Sequence, residues 1–324
     1  MSQKILESAA PFNDIFYKNC IHQFKLMGIL YLGKDIEHIL SNDVFFYNGQ
    51  ETSFIFQSDA IRDESELFKR MGIEQKEYRR TDNIFQQIEN DIMDNNWSVV
   101  YIDSFYNPFQ PARYQKIHEM HPWGVFGFDQ EEKVFHVIDH EYETGLNYIR
   151  RIFSYDELST AYEGLINDVG WTPSYYTFKN AEKVSRQYNY QKILQENYSL
   201  KKDEVVRGIQ FLEEFLSVFS TYTKEESEAY PFAEGVFQNL LWTVRWQRMR
   251  RYQFNQIYSL SDELNQLLFS IEYNWNFIYT LIAKYIFSKK YKEIHFFKME
   301  NMIKDIIVAE NKWASILNEK FFIN

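Results

Sequence analysis

HPWGVFGFDQEEKVFHVIDH, residues 121–140, reads as two β-strands joined by a polar turn. The strands are WGVFGFD and KVFHVIDH, and the connection falls at Asp129–Glu132. In the second strand Val134, His136 and Ile138 alternate with Phe135, Val137 and Asp139, the two-residue period of a pleated strand. Antiparallel pairing brings His121, at the head of the first strand, beside Asp139, near the end of the second. A carboxylate in that position accepts a proton from one ring nitrogen, fixes the tautomer and leaves the other nitrogen for a partner. Histidine and aspartate also cap hairpins for structural reasons, so the pair gains meaning only from what else reaches it.

The chain has a single cysteine, Cys20. It follows the polar, irregular PFNDIFYKN and opens a helical pattern over residues 20–40, in which Phe24, Met27, Leu30 and Tyr31 share one face. A cysteine is a nucleophile as thiolate, and a helix N-terminus and an imidazolium both favour that form. The same amides suit the oxyanion of a tetrahedral intermediate. Against this stands the reading of Cys20 as an inert small hydrophobe.

Outward from these residues, 43–58 reads as a hairpin with Asn48-Gly49 as its turn. Segments 63–73 and 82–96 read as amphipathic helices and 96–106 as a buried strand. A capping box, Ser154 with Glu157, starts a helix in FSYDELSTAYEGL. From about residue 178 the texture becomes long aromatic-rich helices over 203–220, 232–254 and 261–287, with short breaks near Tyr222–Thr223 and Tyr230–Pro231. The expectation is an α+β domain over 1–178 and an all-helical domain over 179–324.

Composition bounds the function. A chain of 324 residues with 45% apolar and 19% aromatic content buries a sizeable core. A net charge of −11 argues against a general nucleic-acid binder and against docking on anionic membranes. It suits the steering of a cationic small molecule. The N-terminus lacks the blocks of a signal peptide, and no apolar run approaches a membrane span, so the sequence reads as soluble and cytoplasmic. No P-loop or dinucleotide fingerprint is present, and no cofactor is expected.

A cysteine at a helix start, then H-x-x-x-V-x-G-[YF]-D, then V-x-[VI]-x-D, is an arrangement that resembles papain-like cysteine enzymes. VVYIDSFYNPFQPARYQKIHEMH, residues 99–121, brings the resemblance closer to the butirosin biosynthesis protein H family. The likeness covers roughly residues 15–160, and AENKWASILNEK near the C-terminus resembles that family more weakly. It implies a papain-like catalytic domain, with Cys20 as nucleophile, His121 as base and Asp139 as orienter. The implied reaction is transfer of an acyl, aminoacyl or peptidyl group from a carrier-protein phosphopantetheine thioester to a small amine, in specialised metabolite assembly. Papain-like enzymes place a glutamine before the cysteine to complete the oxyanion hole. Here Asn13, Asp14 and Asn19 occupy that region, and only Asn13 or Asn19 offers an amide donor.

Asp103, Tyr106 and Trp123 are candidates for substrate contacts, although a strand-end aspartate and core aromatics explain them equally well. His118 is the rival to His121 as base, and His22 reads as a surface residue. His136 and His140 flank Asp139, but no spacing argues for a metal site. RWQRMRRYQF, residues 245–254, is a basic cluster suited to an acidic carrier protein, or simply a solvated helix face. The aromatic helices leave a homodimer open. The alternatives to a transferase are a cysteine hydrolase on the same residues and a non-catalytic scaffold.

Overall fold

The computed structural model describes residues 2–49, 54–79, 83–142, 147–171, 174–181 and 188–320. Residues 50–53 of the expected hairpin and Asp82 of the expected helix lie outside them. The elements are β1 (Gln3–Ile5), α1 (Cys20–Tyr31), α2 (Glu37–Leu40), β2 (Asp43–Asn48), β3 (Ile55–Ala60), α3 (Glu64–Met71) and β4 (Ile73–Arg79). Next come α4 (Ile84–Met93), β5 (Trp97–Asp103), β6 (Met120–Asp129), β7 (Val134–His140), β8 (Tyr148–Ser154), α5 (Tyr155–Asn167) and β9 (Ser174–Asn180). Five helices follow: α6 (Tyr190–Leu200), α7 (Lys202–Tyr222), α8 (Glu226–Tyr258), α9 (Asp262–Ser288) and α10 (Glu293–Lys320). The protein is thus mixed α/β, with an antiparallel sheet and a helical C-terminal region. Among the described residues no helix is long and apolar enough to cross a membrane.

Two compact units result, the first built from residues 1–36 and 63–186, the second from 37–62 and 187–324. This corrects the expected division at 178/179, because the 43–58 segment joins the helices. β2 and β3 pair antiparallel as the expected hairpin, and DVFFYN of β2 is buried on both faces over its first five residues. Gly208 of α7 lies so close to this strand that a Cβ there would meet the Tyr47 backbone at 2.8 Å. The Thr243 hydroxyl of α8 accepts from the Phe56 amide at 3.1 Å. The ladder runs to Asn48 opposite Ile55, so the connection is 49–54 and not a two-residue turn at Asn48-Gly49.

In the first unit the sheet order is β4-β9-β5-β6-β7-β8. The long strand β6 pairs with β5 over Met120–Val125 and with β1 over Gly127–Asp129. β5 is buried throughout, as its run of apolar and β-branched residues predicts. Helix α1 lies against it through two glycines. A Cβ on Gly28 would meet Trp97 at 2.5 Å, and one on Gly124 would meet Trp97 at 2.7 Å and Phe24 at 2.9 Å. Trp97 is fully buried and donates through Nε1 to the Phe24 carbonyl at 3.0 Å, which fixes the helix along the sheet. Phe24 and Met27 are buried as expected, whereas Leu30 is exposed and Leu26 and Ile29 are buried instead. The capping box of Ser154 and Glu157 is formed at the start of α5.

In the second unit α8 runs through Pro231 without the expected break. Pro231 is the sixth residue of α8, where it forfeits one intrahelical bond and the helix continues. Arg250 is buried and makes two bonds to Glu310 of α10, at 2.9 and 2.8 Å. Arg251 pairs with Glu272 at 2.7 Å, and Arg245 lies over the Trp242 ring. Of the basic cluster at 245–254, Arg250 and Arg251 are thus paired with acidic groups of their own unit, while Arg248 is exposed.

Candidate active site

Cys20 is the first residue of α1 and is partly exposed. Asn19 is the N-cap: its Oδ1 accepts from the His22 amide at 3.1 Å and lies 2.8 Å from His22 Nδ1. The Gln23 amide bonds to the Asn19 carbonyl. The Cys20 and Ile21 amides belong to the first turn, where no intrahelical carbonyl is within reach. The loop that leads in is held by the buried Gln23. Its side chain accepts from the Tyr17 amide at 2.7 Å and donates to the Phe12 and Ile15 carbonyls at 2.7 and 3.1 Å.

β6 and β7 bring His121 and Asp139 together, with Nε2 and Oδ1 2.8 Å apart. Both are buried. His121 is close enough to Cys20 for each to favour the charged form of the other, and since Nε2 is engaged by the carboxylate, Nδ1 is the nitrogen left for the sulfur. Asp139 is held on every side. Asn107 Nδ2 donates to Oδ2 at 2.9 Å, and the His140 amide and the Tyr142 hydroxyl donate to Oδ1 at 2.7 and 3.1 Å. The Tyr142 hydroxyl also sits 3.0 Å from His121 Nε2.

Electrostatics follow from these bonds. Burial opposes charge on Cys20, but the His121 hydrogen bond and charge, with help from the Tyr148 hydroxyl, hold the thiol below its ordinary range. Burial likewise opposes protonation of His121, yet Asp139 and Cys20 together push it up to about 9. Burial would raise Asp139, and its bonds to His121, Asn107 and the His140 amide hold it lower. The arrangement is suited to a thiolate beside an imidazolium near neutral pH.

The remaining candidates fall elsewhere. Asn13 does not present its amide to the sulfur; its Nδ2 donates to the Tyr148 carbonyl at 3.1 Å and its Oδ1 accepts from the Tyr148 amide at 2.8 Å. Asn19 is occupied in capping. Asp103 is fully buried and accepts from the Phe105 and Glu119 amides, while its Oδ2 lies 2.6 Å from His118 Nδ1. That pairing takes both residues out of the reacting group, and His118 stacks on Phe105 with centroids 4.1 Å apart. Tyr106 donates to Asp168 at 2.8 Å. Trp123 is core, against Phe153 at 4.0 Å. His22 is held at about 4 by burial and the neighbouring lysines, and therefore stays neutral. His136 is lowered by burial, and His140 packs on Tyr148. Asp103, His118 and Asp168 bring ligand atoms within 4.8 Å of one another, but each already takes part in the hydrogen bonds just described.

Three residues of the site were not singled out in the sequence: Tyr142, Tyr148 and Asn107. Only Asn107 carried a hint, as an Asn-Pro dipeptide directly after a buried strand, where an Asx turn is common; its Oδ1 accepts from the Phe109 amide at 3.0 Å. Compared with models of known protein families the chain matches none, and compared with curated proteins it also finds no match.

Proposed function

We propose that the protein is a cysteine acyltransferase with a papain-like catalytic unit, similar to the butirosin biosynthesis protein H family. It would move an acyl, aminoacyl or peptidyl group from the phosphopantetheine thioester of a carrier protein to a small amine. The observation that carries the reading is the buried His121–Asp139 hydrogen bond set beside Cys20 at the start of a helix, where the imidazole favours the thiolate.

In this reaction the Cys20 thiolate attacks the thioester carbonyl and its electron pair forms the new C–S bond. The carbonyl π electrons move to oxygen. Collapse expels the phosphopantetheine thiolate, which takes the proton held on His121 Nδ1. The neutral imidazole then accepts a proton from the incoming amine as nitrogen attacks the acyl-enzyme, and keeps it as Cys20 departs as thiolate, which restores the resting ion pair. Asp139 stabilises the imidazolium in each half without itself changing protonation state. A thioester needs less activation than an amide, which favours thioester chemistry at a site where the Asn13 amide nitrogen is already bonded to the Tyr148 carbonyl.

The test is intact-protein mass after incubation with a panel of acyl-phosphopantetheine thioesters, for wild type and Cys20→Ala. The expected result is an acyl adduct on the wild type alone, released by amines faster than by water. Release by water alone would make the protein a hydrolase on the same residues. No adduct from any thioester would overturn the reading.

A further inference from the structure

A buried polar group without a partner calls for an explanation, and the active site contains one. Tyr148 is 1% exposed, and its hydroxyl makes no ordinary hydrogen bond to nitrogen or oxygen. It is the first residue of β8, directly opposite His140 of β7. The ring is fixed on two sides, edge-on to Phe24 of α1 at 5.2 Å and tilted against His140 at 4.3 Å. Its backbone is clasped by Asn13 at both the amide and the carbonyl. Phe24 is one turn after Cys20 on the same face of α1, so Tyr148 packs at the Cys20 end of the helix, near enough for its hydroxyl to favour the thiolate.

We propose that the Tyr148 hydroxyl is the side-chain donor of the oxyanion hole, and that Asn13 is the residue that positions it. The proposal rests on the acyl-transfer reading and supplies the part that reading lacks. Asn13 was a candidate donor by its place in the sequence, and the structure turns it into the support of a donor from a strand far away in the chain.

The chemistry is consistent with this role. Burial and the neighbouring sulfur hold the phenol well above its ordinary range, so it stays protonated and can only help by donating. In the resting enzyme negative charge sits on sulfur. As the sulfur attacks, that charge passes to the carbonyl oxygen, bonded to the same carbon. A donor aimed loosely at sulfur can swing its proton to the oxygen while its ring stays packed. A bond that is weak in the ground state and strong in the transition state is the kind that accelerates a reaction. The Cys20 and Ile21 amides, at the start of α1, supply the backbone half of the same hole.

The experiment compares wild type, Tyr148→Phe and Asn13→Ala in two readouts. One is the rate of acyl-adduct formation from an acyl-phosphopantetheine thioester by intact mass; the other is the pH dependence of alkylation by iodoacetamide. Tyr148→Phe keeps the ring and its packing and removes one oxygen. It is expected to slow acylation by about 10²–10³-fold, the usual cost of one oxyanion-hole donor, and to move the alkylation profile to higher pH. Asn13→Ala should slow acylation less and move the profile the same way, since it disturbs the donor's position only. Acylation by Tyr148→Phe within twofold of wild type, with superimposed alkylation profiles, would overturn the proposal. If wild type itself forms no adduct, the acyl-transfer reading fails. The alkylation profile then reports on the contact alone: a shift in Tyr148→Phe shows that the hydroxyl supports the thiolate, and no shift shows that it does not.

Discussion

His121 has two neighbours that matter, and each pulls its proton balance the same way. Asp139 holds Nε2 and the thiolate faces the other nitrogen, so the imidazolium persists up to about 9. Thiolate and imidazolium therefore coexist from the depressed range of Cys20 up to that value. The rate of acylation should be bell-shaped: it falls at low pH as the sulfur gains a proton, and falls at high pH as His121 loses one. Asp139→Asn removes the carboxylate that raises His121. The upper limb should then move down from about 9, and the rate should drop by roughly 10²–10⁴-fold. A pH–rate series on both proteins checks this, and an unmoved upper limb would refute it. At this scale the sequence was partly legible. Cys20, His121 and Asp139 each had a local signal, a helix start or a strand end. Tyr142 and Tyr148 did not, because the chain has 24 tyrosines and only the folded structure singles these two out, Tyr148 by its place opposite His140 and Tyr142 by its bonds to Asp139 and His121.

The decisive element is α1, because it carries the sulfur, and its seat on the sheet depends on Gly28 and Trp97. Gly28→Ala places a methyl group 2.5 Å from the Trp97 ring, so helix or ring must move. Overpacking of this kind costs about 1–3 kcal/mol. It should lower the denaturant midpoint and slow Cys20 alkylation as the helix start shifts; a variant with wild-type midpoint and alkylation would show that the contact is slack. Strands β5, β6 and β7 were readable from their apolar periodicity. β4 and β9 were not. IEQKEYR, at the sheet edge, is charged along its length, as edge strands often are to discourage pairing with other chains. SYYTFKN was read as the end of a domain, yet it lies between β4 and β5, paired to both. Its place follows from partners distant in sequence, which no local pattern records.

At the level of the whole molecule, the two units are stabilised by different means. The first rests on a sheet with buried aromatics on it. The second has an ionic centre: Arg250 and Glu310, with the Tyr47 hydroxyl donating to the same carboxylate and Gln247 and Trp275 donating to that hydroxyl at 2.7 and 3.1 Å. Removing one member of a buried pair strands the other. Glu310→Ala should therefore cost about 3–5 kcal/mol, read as a lower urea midpoint, and a loss below about 1 kcal/mol would mean the site relaxes or hydrates. Tyr47 also explains why the domain boundary was misplaced. It comes early in the chain, from a hairpin that looks like part of the sheet domain, but its hydroxyl completes a network made by the C-terminal helices. The central claim is narrower than any of this: Cys20 rests as a thiolate held by His121. With one cysteine in the chain, the ultraviolet absorbance of the thiolate can be titrated without ambiguity in wild type and in His121→Ala. A midpoint well below the ordinary thiol range in wild type, returning upward in His121→Ala, is the predicted result. Two superimposed curves in the ordinary thiol range would contradict it.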